Sequence, residues 1–308
     1  MVNTFTQLTW GGDTLDDARH LIRLAVREDL SNQQDWTTMA TVAGDHNGSV
    51  RVVSREAGVV AGIGIIQAVL DEMNISCECD VAIADGDRME PGQVLCTLTG
   101  LTRDLLTAER IILNFLSRLC GVATQAARYV ALLEGTSAKV YDTRKTTPGW
   151  RRLEKYAVRC GGAVNHRTGL FDAILIKDNH LAANAQKDGL EDEETSVAGA
   201  IQNARDFLRG LGDERAANTP VEIEVDTLDQ LERALPCSPD IVLLDNMTLE
   251  DLRQAVAMRN TLCPGAQLEA SGGVTFDTLR SIAETGVDRI SVGALTHSVI
   301  NLDLGFDS

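Results

Sequence analysis

The 308-residue chain contains nowhere the run of about 18 apolar residues that a membrane-crossing helix needs. Its first residues, MVNTFTQLTW, lack the basic start and apolar stretch of a secretion signal. Both absences lead us to expect a cytoplasmic protein with no membrane partner. The seven cysteines, at 77, 79, 96, 120, 160, 237 and 263, form no CxxC pair, so neither a zinc site nor a disulfide framework is indicated. Positive charge is scarce: 28 Lys and Arg stand against 45 Asp and Glu, a net charge of -17. An acidic chain offers no footprint for nucleic acid, which leaves a small molecule as the expected ligand. Also missing are a GxGxxG nucleotide fingerprint, a low-complexity tail, and any internal repeat beyond a strand-helix unit.

Against that background one window reverses the sign. Residues 139–177, KVYDTRKTTPGWRRLEKYAVRCGGAVNHRTGLFDAILIK, hold nine Lys and Arg (139, 144, 145, 151, 152, 155, 159, 167 and 177) and three acids, Asp142, Glu154 and Asp172. Most charge runs are solvated faces, but here several cations follow apolar runs, as in VYDTRK and AILIKDNH. A polar break at the end of a buried strand is where α/β proteins place chemistry, and the local positive excess suits a multiply charged anion.

Around the window the patterning separates two regions. Residues 14–30 have helical spacing, with Leu15, Ala18, Leu21, Ile22, Ala25 and Val26 apolar and Asp13 or Thr14 as cap, and SNQQDWTT after them reads as a polar turn. From Ser49, short β-rich runs (SVRVVSRE, GVVAG, CECDVAIADGD, GQVLCTLTG) surround one helical stretch, GIIQAVLDEM, and a long helix begins at Leu101. This is the pattern of a small α+β domain. After Val122 the chain alternates: AKVYDT, AILIKD, PVEIEVD, DIVLLDN, QLEASGG and RISVGAL read as strands, separated by helical stretches that begin near Ser, Thr or Asp. The expected class is α/β, with a parallel sheet covered by helices. Polar residues recur at almost every strand end, which favours a barrel over an open sheet with one switch point. The charged insert QKDGLEDEETS at 186–196 reads as a solvent loop or a helix entry.

Arg144, Lys145, His166, Arg167 and Lys177 form the cationic side of the candidate site. Arginine forks grip carboxylates and phosphates through paired hydrogen bonds, so the set suits a dicarboxylate beside a polyphosphate. Glu224 and Asp245 end neighbouring strands. Such a pair can hold a divalent metal, bind ribose hydroxyls, stabilise positive charge on a sugar carbon, or simply salt-bridge to the cations. Ser271, Gly272 and Gly273 after one strand and Gly293 after the last offer backbone N–H groups to a phosphate. Arg110 lies mid-helix among apolar neighbours, where pairing with Glu109 or Glu134 is the plain expectation.

The strings DTRKTTPGWR (142–151), LEKYAV (153–158), LIKDNH (175–180), EIEVD (222–226), LLDN (243–246), EASGG (269–273) and ISVGALTHS (290–298), with NHR at 165–167 and TAERIILNFLSRLCGVAT upstream, resemble the quinolinate phosphoribosyltransferases. The resemblance covers nearly the whole chain. It implies the fold of a type II phosphoribosyltransferase: an N-terminal α/β sandwich over 1–121, joined by the C-terminal 298–308, and an incomplete TIM-like α/β barrel over 122–297. It implies transfer of the phosphoribosyl group from phosphoribosyl pyrophosphate to quinolinate with decarboxylation, giving nicotinate mononucleotide, pyrophosphate and carbon dioxide for NAD biosynthesis, with Mg2+ as cofactor. Matched position by position, Arg144, His166, Arg167 and Lys177 would bind quinolinate, Lys145 would face the phosphoribosyl donor, and Thr146 would also bind substrate. Glu224 and Asp245 would address ribose and metal, and Ser271 to Gly273 with Gly293 the 5-phosphate; Lys145, Glu224 and Asp245 would be catalytic. Arg110 would reach the substrate of a neighbouring subunit, which implies a homodimer or a larger assembly of dimers, up to a hexamer.

Three rivals remain at this stage. Lys145 and Lys177 at strand ends would also suit a Schiff-base aldolase. A relative acting on nicotinate is conceivable, although the number of cations argues for a dicarboxylate. A metabolite sensor on a catalytically dead barrel would bind quinolinate without turning it over.

Overall fold

The computed structural model describes residues 4–188, 193–212, 216 and 218–308. The chain divides into two compact units: a barrel unit of Met1–Thr6, Tyr129–Arg144 and Val164–Gly293, and a second unit of Gln7–Arg128, Lys145–Ala163 and Ala294–Ser308. The division departs from the expected 1–121 and 122–297. It falls inside the long helix, gives the first six residues to the barrel unit, and gives 145–163 to the second unit.

The second unit contains α1 (Gly12–Leu30), α2 (Trp36–Thr41), β1 (Asn47–Ser54), β2 (Gly58–Val59), α3 (Gly64–Glu72), β3 (Cys77–Val81), β4 (Arg88–Met89), β5 (Val94–Leu101) and most of α4 (Thr102–Ala131). SNQQDWTT is not wholly a turn: Asp35 caps α2, its carboxylate accepting from the Thr38 amide at 3.0 Å. Neither Asp13 nor Thr14 caps α1, which starts two residues earlier, after Gly11. β1 and β5 pair antiparallel, with Val52 opposite Cys96, and β3 pairs with the other edge of β5. The C-terminal strand β12 (Leu304–Asp307) completes this sheet in the order β12-β1-β5-β3, and an Arg55–Asp307 ion pair closes its edge.

Helix α5 (Arg151–Cys160) has no counterpart among the sequence expectations, and it explains the displaced boundary. Its Arg152 pairs with Asp13 and Asp17 of α1 at 2.9 and 3.1 Å, and its Tyr156 hydroxyl donates to Asp85 at 2.5 Å. These partners lie in the second unit, so the window of basic residues is shared between both units.

The barrel unit contains β6 (Lys139–Tyr141), β7 (Ile174–Ile176), α6 (Asp178–Asp188), α7 (Glu193–Leu211), β8 (Val221–Val225), α8 (Leu228–Ala234), β9 (Ile241–Asp245), α9 (Leu249–Leu262), β10 (Gln267–Ser271), α10 (Leu279–Ala283) and β11 (Arg289–Ser291). A short helix, α11 (Ala294–His297), then returns the chain to the second unit. Helix starts follow the expected chemistry: Thr227 caps α8, and Thr248 with Asp251 forms a capping box on α9. Of the 186–196 insert, residues 189–192 lie outside the described residues.

The strands form one parallel sheet in the order β6-β11-β10-β9-β8-β7. The last strand lies against the first and the rest follow in chain order, which is the cyclic order of a barrel. A parallel bridge between Tyr141 and Val164 extends the sheet beyond β6. No ladder among the described residues joins the Val164 segment to β7, so the ring stays incomplete there. Phe5 packs in a cluster with Tyr141, Ala173, Ile241 and Val164, drawing on both sides of that seam. The backbone register puts Glu222 beside Ile241, Leu243 beside Glu269, and Glu269 beside Arg289. Paired residues in a ladder share a face, and this face turns into the barrel.

Candidate active site

The side chains on that inward face divide into a buried lower set and a polar upper set at the C-terminal strand ends. Glu222, Glu269 and Arg289 are at most 1% exposed. Arg289 Nε donates to Glu269 at 2.6 Å and Nη1 to Gln267 at 3.2 Å, while the Ser291 hydroxyl donates to the same Glu269. The guanidinium lies 3.7 Å from the Tyr141 ring centre and 4.6 Å from that of Phe5. Burial acts to raise the Glu269 pKa, but the charges of His166 and Arg289, with hydrogen bonds from His166 and Ser291, hold it well below the ordinary carboxylate range.

His166 joins this set. Its Nε2 lies 3.2 Å from Glu269 and 3.3 Å from Glu222, its ring centre lies 4.2 Å from that of Phe5 at a tilt of 31°, and its Nδ1 accepts the Arg167 amide at 2.8 Å. Burial lowers its pKa, but the two carboxylates outweigh burial and raise it to about 9. The Arg167 amide opposes a second ring proton, because an imidazolium has no acceptor at Nδ1. The upward direction still stands, since two buried carboxylates flank Nε2. Both ring nitrogens thus face partners within the barrel unit.

Above this layer, Lys177 follows β7 and its ammonium contacts Glu224 on β8. Arg167 is 8% exposed, with Nη1 3.4 Å from the Ala173 carbonyl. Its pKa is lowered by burial and by the neighbouring charge of Arg144, partly offset by Glu222, Asp172 and Glu224. Arg144 and Glu224 are therefore both within electrostatic reach of Arg167. Asp245 ends β9 opposite Ser271 of β10, two residues beyond the Leu243 that neighbours Glu224, so both acids face inward. Its carboxylate accepts the Asn246 side-chain amide at 2.7 Å.

After β10 the chain turns through Gly272 and Gly273, with φ of +85° and +60°. A Cβ at Gly272 would fall 2.2 Å from Asn246 Oδ1 and 2.9 Å from its backbone nitrogen. Asn246 itself has φ of +53°, and its amide donates to the Ser271 carbonyl at 2.9 Å. Left-handed backbone on both sides of this contact fits a site where main chain, rather than side chain, meets an anion. Gly293 follows β11 at the same strand ends.

Lys145 and Thr146 follow Arg144 directly but are counted in the second unit. There the Lys145 carbonyl accepts from the Thr296 hydroxyl at 2.8 Å, and Thr146 Oγ1 accepts from Arg151 at 3.0 Å. Arg110 projects from α4 with its side chain 66% exposed and Glu109 3.8 Å away. The geometry within the barrel unit thus brings together Arg144, Arg167, Lys177, Glu224 and Asp245, with Ser271 to Gly273 and Gly293 at the same ends.

Two acidic sets could attract a cation, and they differ in fit. His166, Glu222 and Glu269 offer ligand atoms within 4.8 Å of one another. Glu269 already serves Arg289 and Ser291, and His166 Nε2 already faces both carboxylates, so a divalent ion there would have to displace existing partners. Glu224 and Asp245 lie at the strand ends. Two carboxylates, completed by water and phosphate oxygens, suit magnesium better than an all-protein cage does.

Comparison with known family models also gives two parts, divided near residue 121. The family model "Quinolinate phosphoribosyl transferase, C-terminal domain" matches residues 122–307 and its N-terminal counterpart residues 35–120. The nicotinate-nucleotide pyrophosphorylase [carboxylating] of Mycobacterium leprae is 43% identical over 95% of this chain and 97% of its own. A probable enzyme of the same name from Bacillus subtilis is 36% identical over 88% of this chain and 86% of its own. The solved nicotinate-nucleotide pyrophosphorylase from Francisella tularensis superposes with a TM-score of 0.86 at 34% identity, covering 99% of both chains. The chain belongs to the quinolinate phosphoribosyltransferase family.

Proposed function

We propose that this protein transfers the phosphoribosyl group of phosphoribosyl pyrophosphate to quinolinate and decarboxylates the product to nicotinate mononucleotide, in NAD biosynthesis. The observation that carries the reading is the convergence of Arg167, Arg144 and Lys177 with Glu224 at one end of a parallel barrel. Three cations match the two carboxylates of quinolinate, and the facing acids match a sugar carbon that turns positive.

Arg144, Arg167 and Lys177 would hold the diacid with its ring nitrogen toward C1 of the ribose. Lys177, paired with Glu224, would exchange that partner for a substrate carboxylate, and Glu224 would then face the ribose. His166 would underlie the diacid as a buried charge. As the C1–oxygen bond to pyrophosphate breaks, Glu224 and Asp245 would stabilise the oxocarbenium-like carbon, and the ring nitrogen forms the new bond to C1. The adjacent ring-carboxylate bond then breaks with its electron pair staying on the ring carbon, where the positive nitrogen beside it stabilises the pair; carbon dioxide departs, and that carbon takes a proton from water. Lys145 and Thr146 would serve the donor's phosphates, and the turn at Ser271 to Gly273 with Gly293 its 5-phosphate. Glu224 and Asp245 would also hold a magnesium ion, whose charge, when bound, neutralises the departing pyrophosphate.

The exposed Arg110 would complete the site of a second copy, making the active form a dimer or an assembly of dimers. No described helix is long and apolar enough to cross a membrane, and we place the reaction in the cytoplasm. Purified protein given quinolinate, phosphoribosyl pyrophosphate and magnesium should form nicotinate mononucleotide. Binding of quinolinate without product would favour the sensor, and a borohydride-stable lysine adduct the aldolase. Arg110→Ala should raise the quinolinate KM strongly, and mixing it with Lys145→Ala should restore part of the activity. No recovery on mixing would count against a shared site.

A further inference from the structure

The nine cations of the basic window come with only three acids, and each acid secures backbone that carries or flanks the cations. Asp172 accepts the Thr168 and Gly169 amides at 2.7 and 3.0 Å. Glu154, fully buried, accepts the Thr147 amide at 3.1 Å and its hydroxyl at 2.8 Å, with Arg118 as counter-ion at 2.6 Å. Asp142, also fully buried, directly follows β6. Its Oδ1 accepts the His166 amide at 2.8 Å and its Oδ2 the Asn165 side-chain amide at 2.7 Å. The Asp142 amide in turn donates to the Val164 carbonyl at 3.1 Å.

Asp142 therefore stands two residues before Arg144 and binds the residue before Arg167. Those two guanidiniums repel each other, and Arg167 is also desolvated. Holding them near one another without substrate requires a link between their two segments, and this carboxylate is such a link. We infer that Asp142 is a positioning residue for the dicarboxylate subsite: through Asn165 and the His166 amide it sets the spacing of Arg144 and Arg167. This rests on the proposed function. It assigns Asp142 no contact with substrate, and it predicts selectivity: the spacing of two arginines matters to quinolinate and not to the phosphoribosyl donor.

A charge-preserving exchange tests it. Asp142→Asn presents an N–H group to one of its two donors and should raise the quinolinate KM at least about ten-fold, since a misplacement of about 1 Å costs up to about a hundred-fold. The KM for phosphoribosyl pyrophosphate should stay within about two-fold. The double variant Asp142→Asn with Asn165→Asp rebuilds both hydrogen bonds, the amide now donating to Asp at 165 and accepting from the His166 N–H. It should return the quinolinate KM to within about three-fold of wild type. Asn165→Ala, which removes one arm, gives the same selective effect in milder form and serves if Asp142→Asn does not fold. Equal loss toward both substrates, failure of the exchange to recover, or loss of folding in both single variants would overturn the inference. Absence of quinolinate turnover in the wild-type protein would instead overturn the proposed function, so the two failures are distinguishable.

Discussion

The mouth of the barrel unit and its interior use the same residue types differently. In the interior, Arg289, Glu269, Glu222 and His166 lie within a few ångströms of one another and are almost wholly out of water. At the mouth, Lys177 and Glu224 pair while keeping solvent access, their side chains 42% and 13% exposed. A buried pair is costly to break and gives little to a ligand; a half-solvated pair can exchange one partner for a substrate at small cost. The difference teaches that charge near a site is not by itself a site. What distinguishes the functional end is partners that can be displaced.

The strongest attack on that comparison is in the interior. Arg289→Met leaves the buried Glu269 with His166 as its remaining charged partner and should lower stability by about 3–5 kcal/mol in urea unfolding. Adding Glu269→Gln should recover a large part, and a neutral Arg289→Met would erase the distinction. At the mouth, Lys177→Ala should leave the urea midpoint nearly unchanged while quinolinate kcat/KM falls roughly a hundred-fold. A matching loss of stability would make Lys177 structural. Gly272→Ala forces a Cβ into Asn246 at φ of +85° and should raise the KM for phosphoribosyl pyrophosphate about ten-fold, with a smaller effect on quinolinate.

The smallest effect concerns pH. His166 is raised from 6.5 to about 9, so its ionic stabilisation is fully present below 6.5 and is lost as pH rises through about 9. The stability gap between wild type and Glu222→Gln should therefore narrow across that interval, by about 1 kcal/mol. A gap independent of pH would mean that His166 stays neutral.

Much of this was legible in the residues. The barrel strands are apolar runs that end in polar breaks, so VEIEVD and DIVLLDN marked β8 and β9 and placed Glu224 and Asp245 at their ends. Helix α5 was hidden because its charged residues Glu154 and Lys155 are wholly buried, which apolar periodicity does not reveal. Helix α2 spans only six residues and shows little beyond its Asp35 cap. Phe5 had no local signal, since its partners His166 and Arg289 are far along the chain. The inward ring of His166 was likewise tertiary, since Glu222 and Glu269 come from two other strands.

The most direct test of a dicarboxylate held by paired arginines is a competition between substrates. Quinolinate labelled in the carboxyl group next to the ring nitrogen should release one labelled carbon dioxide per pyrophosphate, with nicotinate used at least about a thousand-fold less efficiently. Comparable turnover of nicotinate, or pyrophosphate release without labelled carbon dioxide, would contradict the account.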